Sequence, residues 1–167
     1  IEEAHSLNKY VLQKNPAYLT NTARDYWNAW VNRYNFSFYG LSDEVIALFK
    51  KSLFFIKAAV DDGGSILASA DASMLQGGKD TYLYMWPRDG AVCAMSLDKS
   101  GDSYAAKRFF EFCADVISED GYLMHKFQPD RSLGSSWHPW VRDNEVRLPI
   151  QEDEVALTLV ALLKHYE

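Results

Sequence analysis

The residues best suited to chemistry lie in the segment Tyr82-Leu-Tyr-Met-Trp-Pro-Arg-Asp-Gly-Ala91. Pro87 fixes one backbone dihedral and biases Trp86 towards an extended conformation. Arg88 and Asp89 are then expected at the mouth of a helix, where the guanidinium can donate hydrogen bonds and the carboxylate can accept them. Together with an indole face, this mixture suits the hydroxyl groups and the apolar C–H side of a sugar. In the simpler alternative, Asp89 only caps its helix and Arg88 is a solvated neighbour.

A second aromatic loop, Ser132-Leu-Gly-Ser-Ser-Trp-His-Pro-Trp140, follows later in the chain. Gly134 and Pro139 shape its backbone, and its two tryptophans supply flat surfaces outside any helical pattern. For Trp140 a structural role stays open, in which the side chain plugs one end of the helical array. Trp137 stands among small polar residues, so we expect it to contact a ligand.

Three carboxylates stand together in a third segment, Pro149-Ile-Gln-Glu-Asp-Glu-Val155. Acidic side chains in the first turn of a helix offset the positive end of its dipole, so a purely structural role also explains them. Glycoside hydrolysis needs two carboxyl groups, about 6.5 to 9.5 Å apart for inversion, and Asp89 could pair with Glu152 or Glu154. Because neighbouring helical residues point in different directions, at most one or two of these acids can face the loops.

The composition excludes several classes of partner. The chain has 167 residues and a net charge of −6, without a long run of Lys or Arg, so nucleic acid is not an expected partner. No stretch approaches the roughly 20 apolar residues of a membrane span, and no signal peptide is recognisable, which favours a cytoplasmic protein. The histidines and cysteines show no metal-ligand spacing, so we expect no metal and no cofactor. Cys93 and Cys113 are predicted to be small core residues.

The hydrophobic pattern predicts helices separated by long loops. Two helices are expected over residues 2–34 with a break at Asn15-Pro16, and others start after Ser42, near Asp89, near Asp102 and near Gln151. Residues 121–127 are predicted to form one arm of a hairpin and residues 128–148 a loop. The residues expected to face inward are Val45, Phe49, Leu53, Ile56 and Val60, then Val92, Met95 and Ser96, then Ala106, Phe109, Phe110, Cys113, Val116 and Ile117, and last Val155, Leu159, Leu162, Leu163 and Tyr166.

The three segments occur in the order found in glycoside hydrolase family 15, and residues 43–167 resemble the prokaryotic glucoamylases, glucodextranases and trehalases of that family. The resemblance implies an all-α fold, a six-hairpin (α/α)6 barrel. It also implies an inverting, exo-acting hydrolase whose pocket binds the non-reducing terminal glucose of an α-glucan or α-glucoside.

The resemblance also assigns roles to particular residues. Arg88 and Asp89 are implied to hold the distal hydroxyls of the sugar, and Tyr82 and Trp86 to line the pocket. The tryptophan at position 137 is implied to lie across the neighbouring sugar. The residues implied to support this loop are Gln151, Asp153 and Glu154.

On this interpretation residues 1–41 are lead-in helices, and residues 42–167 are the first part of the barrel domain. The resemblance implies a general acid and a general base in segments downstream of Glu167, so no catalytic residue is assigned here and the chain alone is expected to be inactive. Three alternatives stay open: a trehalase of the same family, a non-catalytic sugar-binding or regulatory protein, and a free-standing helical interaction module. The last is disfavoured because the helix after Ser42 is apolar on two sides and would leave one side exposed.

Overall fold

The described part of the chain is mostly helical. A computed structural model describes residues 2–70, 81–134 and 141–167. These residues form six helices and one short hairpin, which confirms the predicted all-α class. Within the same residues, no helix is both long enough and apolar enough to cross a bilayer. The helices are α1 (Glu2–Leu12), α2 (Pro16–Val31), α3 (Asp43–Ala58), α4 (Pro87–Lys99), α5 (Ser103–Val116) and α6 (Glu152–His165).

Contacts divide the chain into two compact units, residues 1–54 and residues 55–167. In the first unit α2 begins at Pro16, as the break at Asn15-Pro16 predicts, and the Asn15 side chain accepts a hydrogen bond from the Tyr18 amide at 2.7 Å. Its small core joins α2 to α3. The core residues are Trp30, Val31 and Leu53, with Trp27, Phe36, Phe49 and Phe54 packed against them.

Helix α3 is covered on one side only in the structure. Leu53 is its buried residue, whereas Leu48 and Phe55 are exposed, and so is Val45, which the apolar pattern places inward. Part of the apolar surface of this helix is therefore exposed, while Ile46 and Phe54 are half-buried.

In the second unit, α5 supplies the largest buried aromatic side chains. Asp102 caps this helix by accepting a hydrogen bond from the Ala105 amide. The predicted inward residues Ala106, Phe109 and Phe110 are buried, but Ile117 is exposed because α5 ends at Val116. Cys113 is buried as predicted, and burial raises the pKa of its thiol to about 12. Both cysteines are free thiols.

Helix α4 presents small residues to the core. It starts at Pro87, two residues before the predicted start, with Trp86 in the N-cap position. Its buried residues are Pro87, Gly90, Ala91, Ala94 and Leu97, whereas Val92, predicted to face inward, is about half exposed. Met95, also predicted inward, is partly buried against the core, but the prediction missed Leu97 and the small residues Ala91 and Ala94. This face of small residues lets α4 approach α5 and α6 closely.

The inner face of helix α6 also differs from the predicted one. Its buried residues are Glu154, Thr158 and Ala161, which share one face at helical spacing. Leu159, Leu163 and Tyr166 were predicted to be inside and are exposed. Val155 and Leu162, also predicted to be inside, are partly buried against the core. The prediction for α6 is therefore confirmed in part, and it missed the smaller Thr158 and Ala161, which are buried where α6 packs closely on α4.

Short extended segments connect the helices. Met85 pairs with Phe127, which also pairs antiparallel with Leu133 across a short turn, so the end of residues 121–127 takes part in a hairpin pairing as predicted. The prediction of a loop over residues 128–148 was wrong in part, because β1 (Val141–Arg142) pairs antiparallel with β2 (Glu145–Val146) within it. The turn residues between these two strands, Asp143 and Asn144, have positive φ angles of 54° and 64°, a conformation that these residue types tolerate.

We predict that Gly90→Ala destabilises the protein by about 1 to 3 kcal/mol, the usual cost of overpacking. A Cβ at this position would overlap the ring of Phe109. On an open helix the same substitution would be stabilising, since Ala is the better helix former. The free energy of unfolding in urea measures the effect, with Val92→Ala on the exposed side of α4 as the control. A Gly90→Ala protein as stable as the parent would contradict the close packing of α4 on α5.

Candidate functional site

Three aromatic side chains form a cluster ahead of α4. The ring centroids of Tyr82 and Trp86 are 5.8 Å apart, and those of Tyr84 and Trp86 are 5.9 Å apart with the planes at 89°. Trp86 is only 5% exposed, whereas Tyr82 is about half exposed. The structure therefore brings Tyr82 and Trp86 together, with Tyr82 as the accessible surface and Trp86 behind it.

Arg88 links α4 to α6. Its Nη1 atom donates to Asp153 Oδ2 at 2.9 Å and to Oδ1 at 3.2 Å. This hydrogen bond raises the pKa of Arg88. Both side chains are partly exposed, so the pair contributes at most about 1 kcal/mol, and its main effect is to fix the guanidinium in place. The Nε and Nη2 atoms make no hydrogen bond with the described residues, which leaves donors for a ligand.

Asp89 does not cap its helix. The N-cap residue of α4 is Trp86, and no side chain caps this end. Asp89 lies in the first turn, is exposed, and makes no hydrogen bond or ion pair with the described residues. The interpretation of Asp89 as a mere N-cap was therefore wrong, and its carboxylate is available to accept hydrogen bonds.

Glu154 is the buried acid of the site. Its side chain is fully buried, and neither carboxyl oxygen has a hydrogen-bond partner. Desolvation raises the pKa of Glu154 to about 8; Arg88 opposes the shift, and Asp153 and Asp89 add to it. Glu154 is therefore mostly protonated at neutral pH. The side-chain oxygen of Gln151, the N-cap residue of α6, is also buried without a partner.

Glu167, at the far end of α6, is not part of this group of acids. It follows Tyr166, the C-cap residue of that helix, and its side chain is exposed. The helix from Glu154 to its last residue, His165, already spans roughly 16 Å at 1.5 Å per residue, so the two acids lie at opposite ends of α6. The separation is too large for a catalytic pair, for which about 6.5 to 9.5 Å is needed. A general acid and base downstream of Glu167 stay a prediction.

Sequence reasoning missed Lys126 as part of this site. The side chain is fully buried, and its Nζ lies 4.2 Å from the ring centroid of Tyr84 and 5.4 Å from that of Trp86. A lysine in an alternating segment is expected on the solvent side, so the pattern carried no signal for burial. The pairing of Phe127 with Met85, which sets this position, joins segments that are distant in the sequence.

The preceding residue, His125, connects this region to the third motif. Its backbone amide donates to the Pro149 carbonyl at 2.7 Å, and its Nδ1 lies 3.3 Å from the same oxygen. Burial lowers the pKa of His125, while the contact with Pro149 opposes the shift. The imidazole is therefore neutral near pH 7, and its contact with Pro149 holds the approach to α6 against the segment that carries Lys126.

The aromatic loop of the second motif lies largely outside the described residues. Trp137 and Trp140 both fall in residues 135–140, so their predicted roles stay predictions. The structure brings together Tyr82, Trp86, Arg88, Asp153 and Glu154 from the first and third motifs. Comparisons with known proteins add no relative, since no family model, no curated protein and no solved structure matches the chain. The family resemblance therefore rests on the motifs alone.

We predict that Glu154→Gln removes a pH dependence of stability. The folded-state pKa of Glu154 lies above its ordinary value of 4.5, so its contribution is fully present below pH 4.5 and is lost as the pH rises through about 8. The parent should thus lose stability relative to Glu154→Gln between pH 5 and pH 9, by on the order of a few kcal/mol.

Urea denaturation at several pH values measures this difference. Glu152→Gln, the same change on the exposed side of the same turn, controls for the loss of an acidic group near the α6 terminus. Parallel pH profiles for the parent and Glu154→Gln would show that Glu154 is not held protonated by burial.

Proposed function

We propose that Tyr82, Arg88 and Asp89 bind the terminal glucose of an α-glucan or α-glucoside. We further propose that the complete gene product is an inverting, exo-acting glycoside hydrolase of the glucoamylase type. One observation carries the proposal: a fixed guanidinium with open donors and an unpaired carboxylate stand in the first turn of α4, directly after an aromatic pair with one exposed ring.

This combination matches the chemistry of a sugar. Asp89 accepts hydrogen bonds from hydroxyl groups, and the open Nε and Nη2 groups of Arg88 donate to sugar oxygens. The ring of Tyr82 offers an apolar face for the C–H side of the pyranose. Because Asp153 already holds Arg88, little side-chain freedom is lost when a ligand binds.

Hydrolysis requires a carboxylic acid that protonates the leaving oxygen and a carboxylate that activates water. Glu154 has the raised pKa of an acid, but its side chain is fully enclosed, so it cannot reach a glycosidic oxygen in this arrangement. The resemblance places the acid and the base in other segments of a six-hairpin (α/α)6 barrel. In this proposal α3 to α6 belong to that barrel and supply the sugar-binding half of the site.

A glucose-release assay on the complete gene product tests the enzyme claim. Maltooligosaccharides, isomaltose and trehalose are offered across a range of pH, and the substrate that releases glucose identifies the linkage. Release from trehalose alone would favour the trehalase of the same family. Binding without release at any pH would reject hydrolysis and leave a non-catalytic sugar-binding protein.

We predict that Asp89→Asn and Arg88→Ala each weaken the affinity for the bound glucoside about 10- to 100-fold. Each change removes a charge-assisted hydrogen bond, worth roughly 1.5 to 3 kcal/mol. Isothermal titration calorimetry measures the dissociation constants. Asp120→Asn, in the exposed turn after α5, provides a matched control for the loss of one carboxylate. Unchanged affinity in both variants would exclude this end of α4 as the sugar site.

The motif also predicts a difference between two tryptophans. In the complete gene product, Trp137→Ala should lower kcat/KM for the preferred glucoside by a larger factor than Trp140→Ala, since Trp137 is expected to cover the second sugar. Steady-state kinetics on both variants provide the comparison. Equal losses would refute the assignment of Trp137 to the substrate.

A further inference from the structure

The position of Lys126 is set by backbone pairing between two extended segments. The Met85 amide donates to the Phe127 carbonyl and the Phe127 amide to the Met85 carbonyl, each at 2.9 Å. Met85 and Phe127 are buried in the core. Side chains alternate along extended backbone, so the neighbouring residues Tyr84 and Lys126 share the opposite face. The pairing therefore sets the lysine against the aromatic cluster of Tyr82, Tyr84 and Trp86.

Gly134 leaves room for this arrangement. Its amide donates to the Lys126 carbonyl at 3.0 Å, which brings a third extended segment alongside. A Cβ at Gly134 would lie 2.7 Å from Lys126 Cγ and 3.1 Å from Tyr84 Cδ1. A side chain here would therefore displace either the aliphatic part of Lys126 or the ring of Tyr84.

The ammonium group contacts two rings that are nearly perpendicular. Its Nζ lies 4.2 Å from the centroid of Tyr84 and 5.4 Å from that of Trp86, whose planes meet at 89°. A cation that is shielded from water interacts with an aromatic ring by roughly 2 kcal/mol or more. One cation shared by two rings favours a single relative orientation of the pair, because rotation of either ring would lose this attraction.

Trp86 connects Lys126 to the candidate site, because it contacts the lysine and also immediately precedes α4. It is the N-cap residue of α4, so its backbone starts the turn that carries Arg88 and Asp89, and its ring supports Tyr82. We propose that Lys126 is a positioning residue: buried beneath Tyr84 and Trp86, it holds both rings so that Tyr82 and the first turn of α4 face the same ligand. This inference rests on the proposed function only for the identity of that ligand.

The test compares Lys126→Met, which keeps the length and apolar stem, with Lys126→Arg, which keeps the charge. Near-ultraviolet circular dichroism reports the orientation of the aromatic rings, and calorimetry measures the affinity for maltose, isomaltose and trehalose. Lys107→Met, on an exposed lysine of α5, is the control. We expect Lys126→Met to change the aromatic spectrum and to weaken binding about tenfold, because rings that are no longer held in place must be ordered when the ligand binds, with partial recovery in Lys126→Arg.

The same substitution in a Trp86→Phe protein shows whether the spectral change comes from the indole ring. In Trp86→Phe protein the spectral effect of Lys126→Met should shrink, because the indole that reports it is absent. If Lys126→Met does not fold, Tyr84→Leu replaces it, since this variant keeps the cation and removes one ring, and the same change of spectrum and affinity is expected.

The outcomes separate this inference from the proposed function. A parent protein that binds none of the three sugars but shows the Lys126-dependent spectrum rejects the proposed function and supports the positioning role. Sugar binding and spectra in Lys126→Met that equal those of the parent overturn the positioning role, whatever the parent binds.

Discussion

The structure of residues 55–167 depends on the close approach of α4 to α5 and α6. The inner face of α4 consists of Gly90, Ala91 and Ala94 with one larger residue, Leu97. Phe109 of α5 occupies the space that a side chain at position 90 would need. Small residues on one helix and a large ring on its neighbour allow tight packing at a short distance between axes. The position of the α4 N-terminus, and of everything attached to it, follows from this contact.

The packing of α4 on α5 and α6 fixes the geometry of the candidate site more than the polar contacts of the site do. The Arg88–Asp153 pair is partly exposed and contributes little free energy, although it sets how the first turns of α4 and α6 face each other. The extended segment before α4 is held by Met85 and Phe127, both buried. Polar groups that must bind a ligand are thus carried by elements whose positions are fixed by apolar burial, which is how a rigid site is obtained.

The predictable parts of this chain are those with local signals. Asn15-Pro16 and Asp102 mark helix starts by chemistry that acts within one turn, and the phenylalanines of α5 mark its inner face by size. The inner faces of α4 and α6 were predicted only in part: Met95, Val155 and Leu162 pack against the core, whereas the buried alanines of both helices give no strong hydrophobic signal. The Asp143-Asn144 turn was a usable signal that the loop prediction overlooked. In the site, Arg88 and Asp89 could be predicted because they belong to a distinctive local motif. The burial of Lys126 could not, because it depends on the pairing of Phe127 with Met85, a residue far away in the sequence.

The protonation of Glu154, which follows from how closely α6 packs, also decides the charge of the binding region. The positive end of the α6 dipole and the nearby Arg88 both favour the carboxylate, yet desolvation raises its pKa to about 8. At neutral pH the charged groups around Glu154 then comprise one cation, Arg88, and two carboxylates, Asp153 and Asp89, with Glu154 itself largely neutral. The buried Lys126 adds a second cation beside the aromatic cluster. Arg88 is paired with Asp153, whereas Asp89 is exposed and makes no ion pair with the described residues. An exposed carboxylate without a cationic partner attracts hydrogen-bond donors, and this favours a polyhydroxylated ligand over an anionic one.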